Sequence, residues 1–237
     1  MATSGSTNYS ASATDLISSA YELARVKDPI ESLTNDQASR ALASLNKIVK
    51  YLQKNGMPLW AIKTDSITLV ASTESYTCGT AGTGLTERPL RILEAFYRDG
   101  TNDTQVEIIS REEYWQLGDK STTGIPTEIY YDPQLTLGVL YVYNPADTNS
   151  AGNTLHLIYQ RPFEDLDSLT NNFDFPVEWT MVIEYMLAVD LALRNGVRQS
   201  RIAQLDAKAN EYFHQVLNWD IEMTSLQIVP DTEGHAY

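Results

Sequence analysis

Cysteine is almost absent. The single Cys78 excludes an intrachain disulfide and a thiolate metal cluster, so the chain needs no oxidising compartment and is expected in a cytoplasm-like one. Basic residues are scarce: seventeen Lys and Arg stand against thirty-one Asp and Glu, a formal net charge of −14. Tight nucleic-acid binding draws its affinity from a basic face that releases counterions. No Lys/Arg run or basic stripe interleaved with aromatics occurs here, so a DNA-clamping role is disfavoured. An acidic surface that DNA only slides past is compatible, because like charges prevent sticking; added solubility is the plainer reading of the same charge. Histidine is limited to His156, His214 and His235, and no two share a metal-ligand spacing. No run approaches ~20 apolar residues, so no membrane-spanning helix is expected. The first fifteen residues lack a basic n-region and an apolar h-region, which predicts no secretory signal.

What is present suffices for a core. Hydrophobic residues make up 43% of the chain and aromatics 10%, in the range of globular proteins. At 237 residues there is room for one large domain or two small ones. Residues 1–12 form a Ser/Thr/Ala-rich tail without periodicity. Thr14 and Asp15 offer an N-cap for a helix carrying Leu16, Ala20, Leu23 and Lys27 on one face, stopped by Asp28-Pro29. A second helix from Asn35 or Asp36 shows the stripe Ala38, Ala41, Leu42, Leu45, Ile48, Val49 and Leu52, with Asn55-Gly56 as its stop.

From about Trp60 to Arg161 the period becomes two. The segments 66–70, 74–77, 90–98, 105–109, 128–131, 139–143 and 154–159 read as strands separated by turn signals. Ser110 and Glu113 form a capping box for a short helix through Leu117. Helices resume after Pro176. One has an apolar face of Trp179, Val182, Ile183, Met186, Val189 and Leu193; the next, capped by Ser200, carries Ile202, Leu205, Ala209, Phe213 and Val216. The segment Thr224–Asp231 alternates apolar and polar, as in an extended arm that adds to a partner's sheet or lies in a groove. A last strand of its own domain is the competing reading.

The expected fold class is α+β. Residues 13–60 and 174–223 make a helical bundle, 61–173 an inserted small β-sandwich or barrel, and 224–237 an extended C-terminal arm after the flexible tail 1–12.

No catalytic constellation emerges. Cys78 has no histidine near it in sequence, and a buried thiol is the better reading. The stretch Gly79–Gly84 superficially resembles a phosphate loop but lacks the Gly-Lys-Ser/Thr ending and opens no helix; a flexible hairpin loop fits better. Glu112 and Glu113 are adjacent on one helix and point apart. Glu164, Asp165 and Asp167 cluster in what reads as a solvated loop. The expectation is therefore a non-enzyme with no catalytic, cofactor-binding or metal residues.

A set of motifs carries a resemblance. Ile109–Leu117, Gly124-Ile125-Pro126-Thr127, Tyr130–Gln134, Gly138–Tyr143, Tyr159–Asp165 and Phe175–Trp179 follow in order over most of the chain. Together they resemble the head-to-tail adaptor proteins of short-tailed bacteriophages, also called connector, packaged-DNA-stabilisation or tail tubular A-like proteins. That resemblance implies a structural virion protein at the capsid vertex, assembled in the host cytoplasm. Its partners would be the portal protein ring, the tail or nozzle protein, and neighbouring copies in a twelve-membered homo-oligomeric ring. DNA would pass through the channel without sequence-specific binding, and no membrane is involved. Carried over by residue, Leu226, Ile228, Val229 and Pro230 are the expected portal-binding positions. Arg111–Leu117 and the Gly124–Pro126 turn would brace the fold or touch a neighbouring subunit. Two other readings compete. One is a carbohydrate- or receptor-binding tail module built on Tyr130, Tyr131, Tyr141 and Tyr143; the other is a peptidoglycan hydrolase using a carboxylate pair that includes Glu164.

Overall fold

A computed structural model of the chain describes residue 5 and residues 10–28, 30–54 and 59–219. Helix α1 (Ala13–Ala24) starts from Ser12. The Ser12 hydroxyl accepts from the Asp15 N–H, and the Asp15 carboxylate accepts from the Ser12 N–H. The cap therefore lies before Thr14, and Asp15 is its reciprocal partner. Arg25, at φ 55°, closes the helix ahead of Asp28. Helix α2 (Asn35–Lys54) starts the same way, with Thr34 and Gln37 exchanging backbone-to-side-chain bonds. Pro29 and the Asn55-Gly56 stop lie outside the described residues.

The seven segments of period two form β1 (Ile62–Thr68), β2 (Ser75–Cys78), β3 (Arg91–Asp99), β4 (Asn102–Ile108), β5 (Glu128–Asp132), β6 (Gly138–Tyr143) and β7 (Thr154–Gln160). Their assembly departs from the expected small sandwich or barrel. All seven join one mixed sheet in the order β1-β7-β3-β4-β5-β6-β2, curled into a half-barrel. Every neighbouring pair is antiparallel except β4–β5. The connection between β4 and β5 contains helix α3 (Arg111–Gln116), and its length lets the chain return in the same direction. Alternation along β6 and β7 buries Leu140, Val142, Leu155, Leu157 and Tyr159 on one face. One curled sheet wraps that face around its own core, so no second sheet is needed.

The helical-bundle expectation is corrected as well. The helices are spread along the chain, with α3 inside the strand-rich stretch, and the whole is a sheet-rich α/β fold rather than a terminal bundle bearing an insert. Helix α4 (Thr180–Arg194) packs against α1, α2 and α5 (Gln199–Trp219). Because it is contacted from three sides, its buried set is wider than one stripe. It includes Leu187, Ala188, Leu191 and Ala192 besides Val182 and Ile183, whereas Leu193 is exposed and Met186 and Val189 are only partly covered. Ser200 lies inside the first turn of α5 and is not its cap.

A strap of residues 161–176 joins sheet to helices. Asn46, Lys50 and Gln53 share one face of α2 and hold it through its backbone. Asn46 donates to Leu166 O (3.0 Å) and accepts from Leu166 N (2.9 Å), the Lys50 ammonium donates to Phe163 O, and Gln53 accepts from Phe163 N. Farther along, Leu169 O and Asn171 O accept from the first N–H groups of α1. The acidic cluster Glu164–Asp167 is thus part of a fastened strap, with Asp165 paired to Lys50 at 2.8 Å.

Candidate interaction site

Met186 and Val189, one turn apart on α4, form the floor of an open groove of about 330 Å3. Helices α2 and α5 flank α4 and form the walls. Lys47, Ile48 and Tyr51 line one side; Asp206, Ala209, Asn210 and Phe213 line the other, at the three- and four-residue spacing that puts them on one helix face. Ile48, Met186, Val189 and Phe213 pack against the core with one side and face the groove with the other. The Phe213 ring meets Trp179 edge-on at 6.3 Å, which fixes it. Tyr51 stands at the lip, 56% exposed. Helix α5 ends at Trp219, less than two turns past Phe213 and 78% exposed. The expected portal-binding residues Leu226, Ile228, Val229 and Pro230 lie beyond it, outside the described residues.

The groove is legible only in part from periodicity. The apolar stripes contained Ile48, Met186, Val189 and Phe213, but a stripe marks a surface that seeks cover and does not say whether the fold covers it. Tyr51 was missed, though it sits four residues after Lys47 and three after Ile48 on the same face.

A second apolar surface surrounds α3. Ser110 caps it and Glu113 returns the bond, as expected. Tyr114, 2% exposed, packs on Tyr130 and Tyr141, which stack across β5 and β6 with centroids 5.7 Å apart. Trp115 lies outside them, 57% exposed, with the Lys120 ammonium 5.6 Å above its ring. Gly124 bridges to Ala146, so the Gly124–Pro126 turn is tied to the end of β6.

The groups weighed for chemistry sit apart. Cys78 is buried in the sheet core, which pushes its thiol pKa up, away from the reactive thiolate. His156 lies on β7 with its ring against Thr154, and His214 on α5 next to Phe213. In the Gly79–Gly84 loop the N–H groups of Gly79, Gly82, Thr83 and Gly84 donate to Leu85 O, Gly79 O, Thr77 Oγ1 and Thr77 O. Those amides are spent inside the loop and cannot cradle a phosphate. A Cβ on Gly82 would lie 2.1 Å from Thr77 O, so only glycine fits at that close approach. Glu113 is taken up by its cap, and that bond lowers its pKa. Among the described residues no three His, Cys, Asp or Glu side chains are grouped to hold a metal ion, and no helix is long and apolar enough to cross a membrane.

No protein-family model matches the chain, and a search of curated proteins finds no relative.

Proposed function

We propose that the chain is a structural subunit of a virus particle, the head-to-tail adaptor of a short-tailed bacteriophage, acting in a ring between the portal and the tail or nozzle. One observation carries the reading. Large apolar side chains lie open on the helical part (Tyr51, Met181, Leu193, Trp219) and also on the strand-rich part (Ile108, Trp115, Ile125, Leu135). A ring built from head-to-tail contacts requires two different surfaces on each copy, and axial partners require more. An isologous dimer would need a single patch. The motif order adds support: Tyr114, Tyr130, Tyr159, Phe163 and Trp179, all within the resembling segments, are buried framework residues that set the α3 seat and the strap. The acidic surface suits a channel past which DNA slides.

Mass photometry of the protein with its own phage's portal ring, with and without residues 225–237, tests the reading. The expected product is a large complex with about twelve added subunits, closed by heterologous contacts and lost on truncation. A portal ring that gains no subunits from the intact chain would sink the assignment. The carbohydrate-module reading gains no observation, because Tyr130 is buried under α3 and the Tyr131 hydroxyl is bound to Pro89 O at 2.6 Å.

A further inference from the structure

We propose that the groove between α2, α4 and α5 holds the chain's own segment Thr224–Pro230 in the unassembled subunit, keeping the arm docked until a partner competes for it. The inference goes beyond the adaptor reading and does not require it.

Three features choose this occupant. The first is reach. From Trp219 back to the level of Phe213 and Asp206 is ~9 to ~20 Å along α5 at 1.5 Å per residue. The seven residues 220–226 span up to ~25 Å when extended, so one reversal brings Leu226, Ile228 and Val229 alongside the floor residues Met186 and Val189.

The second is chemistry. The segment offers Leu226, Ile228 and Val229 around a lone Gln227, which suits an apolar floor with polar rims.

The third is charge. Residues 220–237 contain Asp220, Glu222, Asp231 and Glu233 and no Lys or Arg. In this acidic chain α2 is a basic exception, with Arg40, Lys47, Lys50 and Lys54 against Asp36. Lys47 lines the groove; it and Lys54 form no ion pair among the described residues. Asp206 is the one acid on the lining and faces Lys47 from the other wall. A tethered segment sees its groove at an effective concentration in the millimolar range, which a separate copy in dilute solution does not match.

The test uses the full chain without any partner. Gln227→Cys is combined with Asn210→Cys, which faces the groove, and in a control with Lys208→Cys, which lies on another face of the same helix nearly the same tether length away. Cys78 is buried and stays out of the reaction. Under oxidised glutathione the Asn210 pair should close an internal disulfide about tenfold faster than the Lys208 pair, reflecting local concentration rather than tethering alone. Adding Leu226→Ser and Ile228→Ser should erase that preference. Equal closure rates would overturn the proposal. A covalent dimer formed in place of the internal loop would overturn it too, assigning the groove to a neighbour's arm. Because no portal is present, either failure leaves the adaptor reading standing.

Discussion

Arg161 sits where β7 hands the chain to the strap. Its guanidinium makes two bonds to the Asp174 carboxylate, at 2.5 and 2.7 Å, and lies over the Trp60 ring at 5.6 Å. The planar fork reads both carboxylate oxygens and stacks flat on an indole; a lysine ammonium offers a point charge without the fork or the flat stack. Both side chains of the pair are mostly shielded from solvent, so the bonds are worth more than those of an exposed pair. Arg161→Ala is expected to cost about 1–3 kcal/mol of unfolding free energy, from charge-assisted bonds lost and Asp174 left with only the Glu164 N–H. Arg161→Lys should recover only part, read from urea midpoints at pH 7. A second residue-scale effect concerns pH. Hydrogen bonds from Ser12, Arg98, Ser110 and Ser121, and from Ser150, lower the pKa of Asp15, Asp103, Glu113, Asp119 and Asp147 respectively. A carboxylate with a depressed folded pKa gives stability that is fully present above its unfolded value near 4 and disappears as pH falls through the folded one. Urea midpoints should therefore hold from pH 7 to about 5 and drop below about 4. Asp15→Asn with Glu113→Gln should make that drop shallower; an unchanged slope would show that these caps do not carry the acid sensitivity.

At the scale of elements, the strap decides how the helices meet the sheet, and Asn46 is its tightest fastening. Asn46→Ala removes both bonds to the Leu166 backbone and leaves a partly buried N–H and C=O without that partner. The expected loss is about 1–3 kcal/mol by thermal or urea unfolding. Asn46→Asp, which keeps the acceptor and loses the donor, should fall between. Sequence reading found the elements far better than their joints. Strand positions followed from alternation and α3 from its Ser110–Glu113 box, both signals carried within a few residues. The strap could not be read that way. Asn46, Lys50 and Gln53 form a polar line on an otherwise ordinary solvent face, and only the fold brings residues 163–166 beside it. The single curled sheet was misread as a sandwich or barrel for the same reason: a buried face looks identical in sequence whether another sheet or the same sheet covers it. Of the candidate site, the apolar stripes were visible and their incomplete cover was not.

For the whole molecule, charge sets the terms on which copies meet. A subunit with net charge −14 repels its own kind, and that repulsion opposes any ring that its open apolar side chains favour. Salt acts on the two terms differently. The Debye length falls from about 10 Å at 0.1 M to about 3 Å at 1 M, so the repulsion between facing acidic surfaces is screened while apolar contact is not weakened. Self-association should therefore increase with salt, seen as a rising weight-average sedimentation coefficient at fixed protein concentration. A protein that grips DNA shows the opposite trend for its ligand, because counterion release makes affinity fall steeply as salt rises. The two trends can be measured on one sample: oligomers growing with salt, and no retention of duplex DNA even at the lowest salt. Duplex retained at low salt would remove the picture of DNA sliding past an acidic surface and would point to the basic residues of α2, Arg40, Lys47 and Lys54. Oligomers that dissolve as salt rises would mean that copies meet through opposite charges, and would shift the subunit contacts from the open apolar side chains to pairs such as Lys47 or Lys54 with a neighbour's carboxylates.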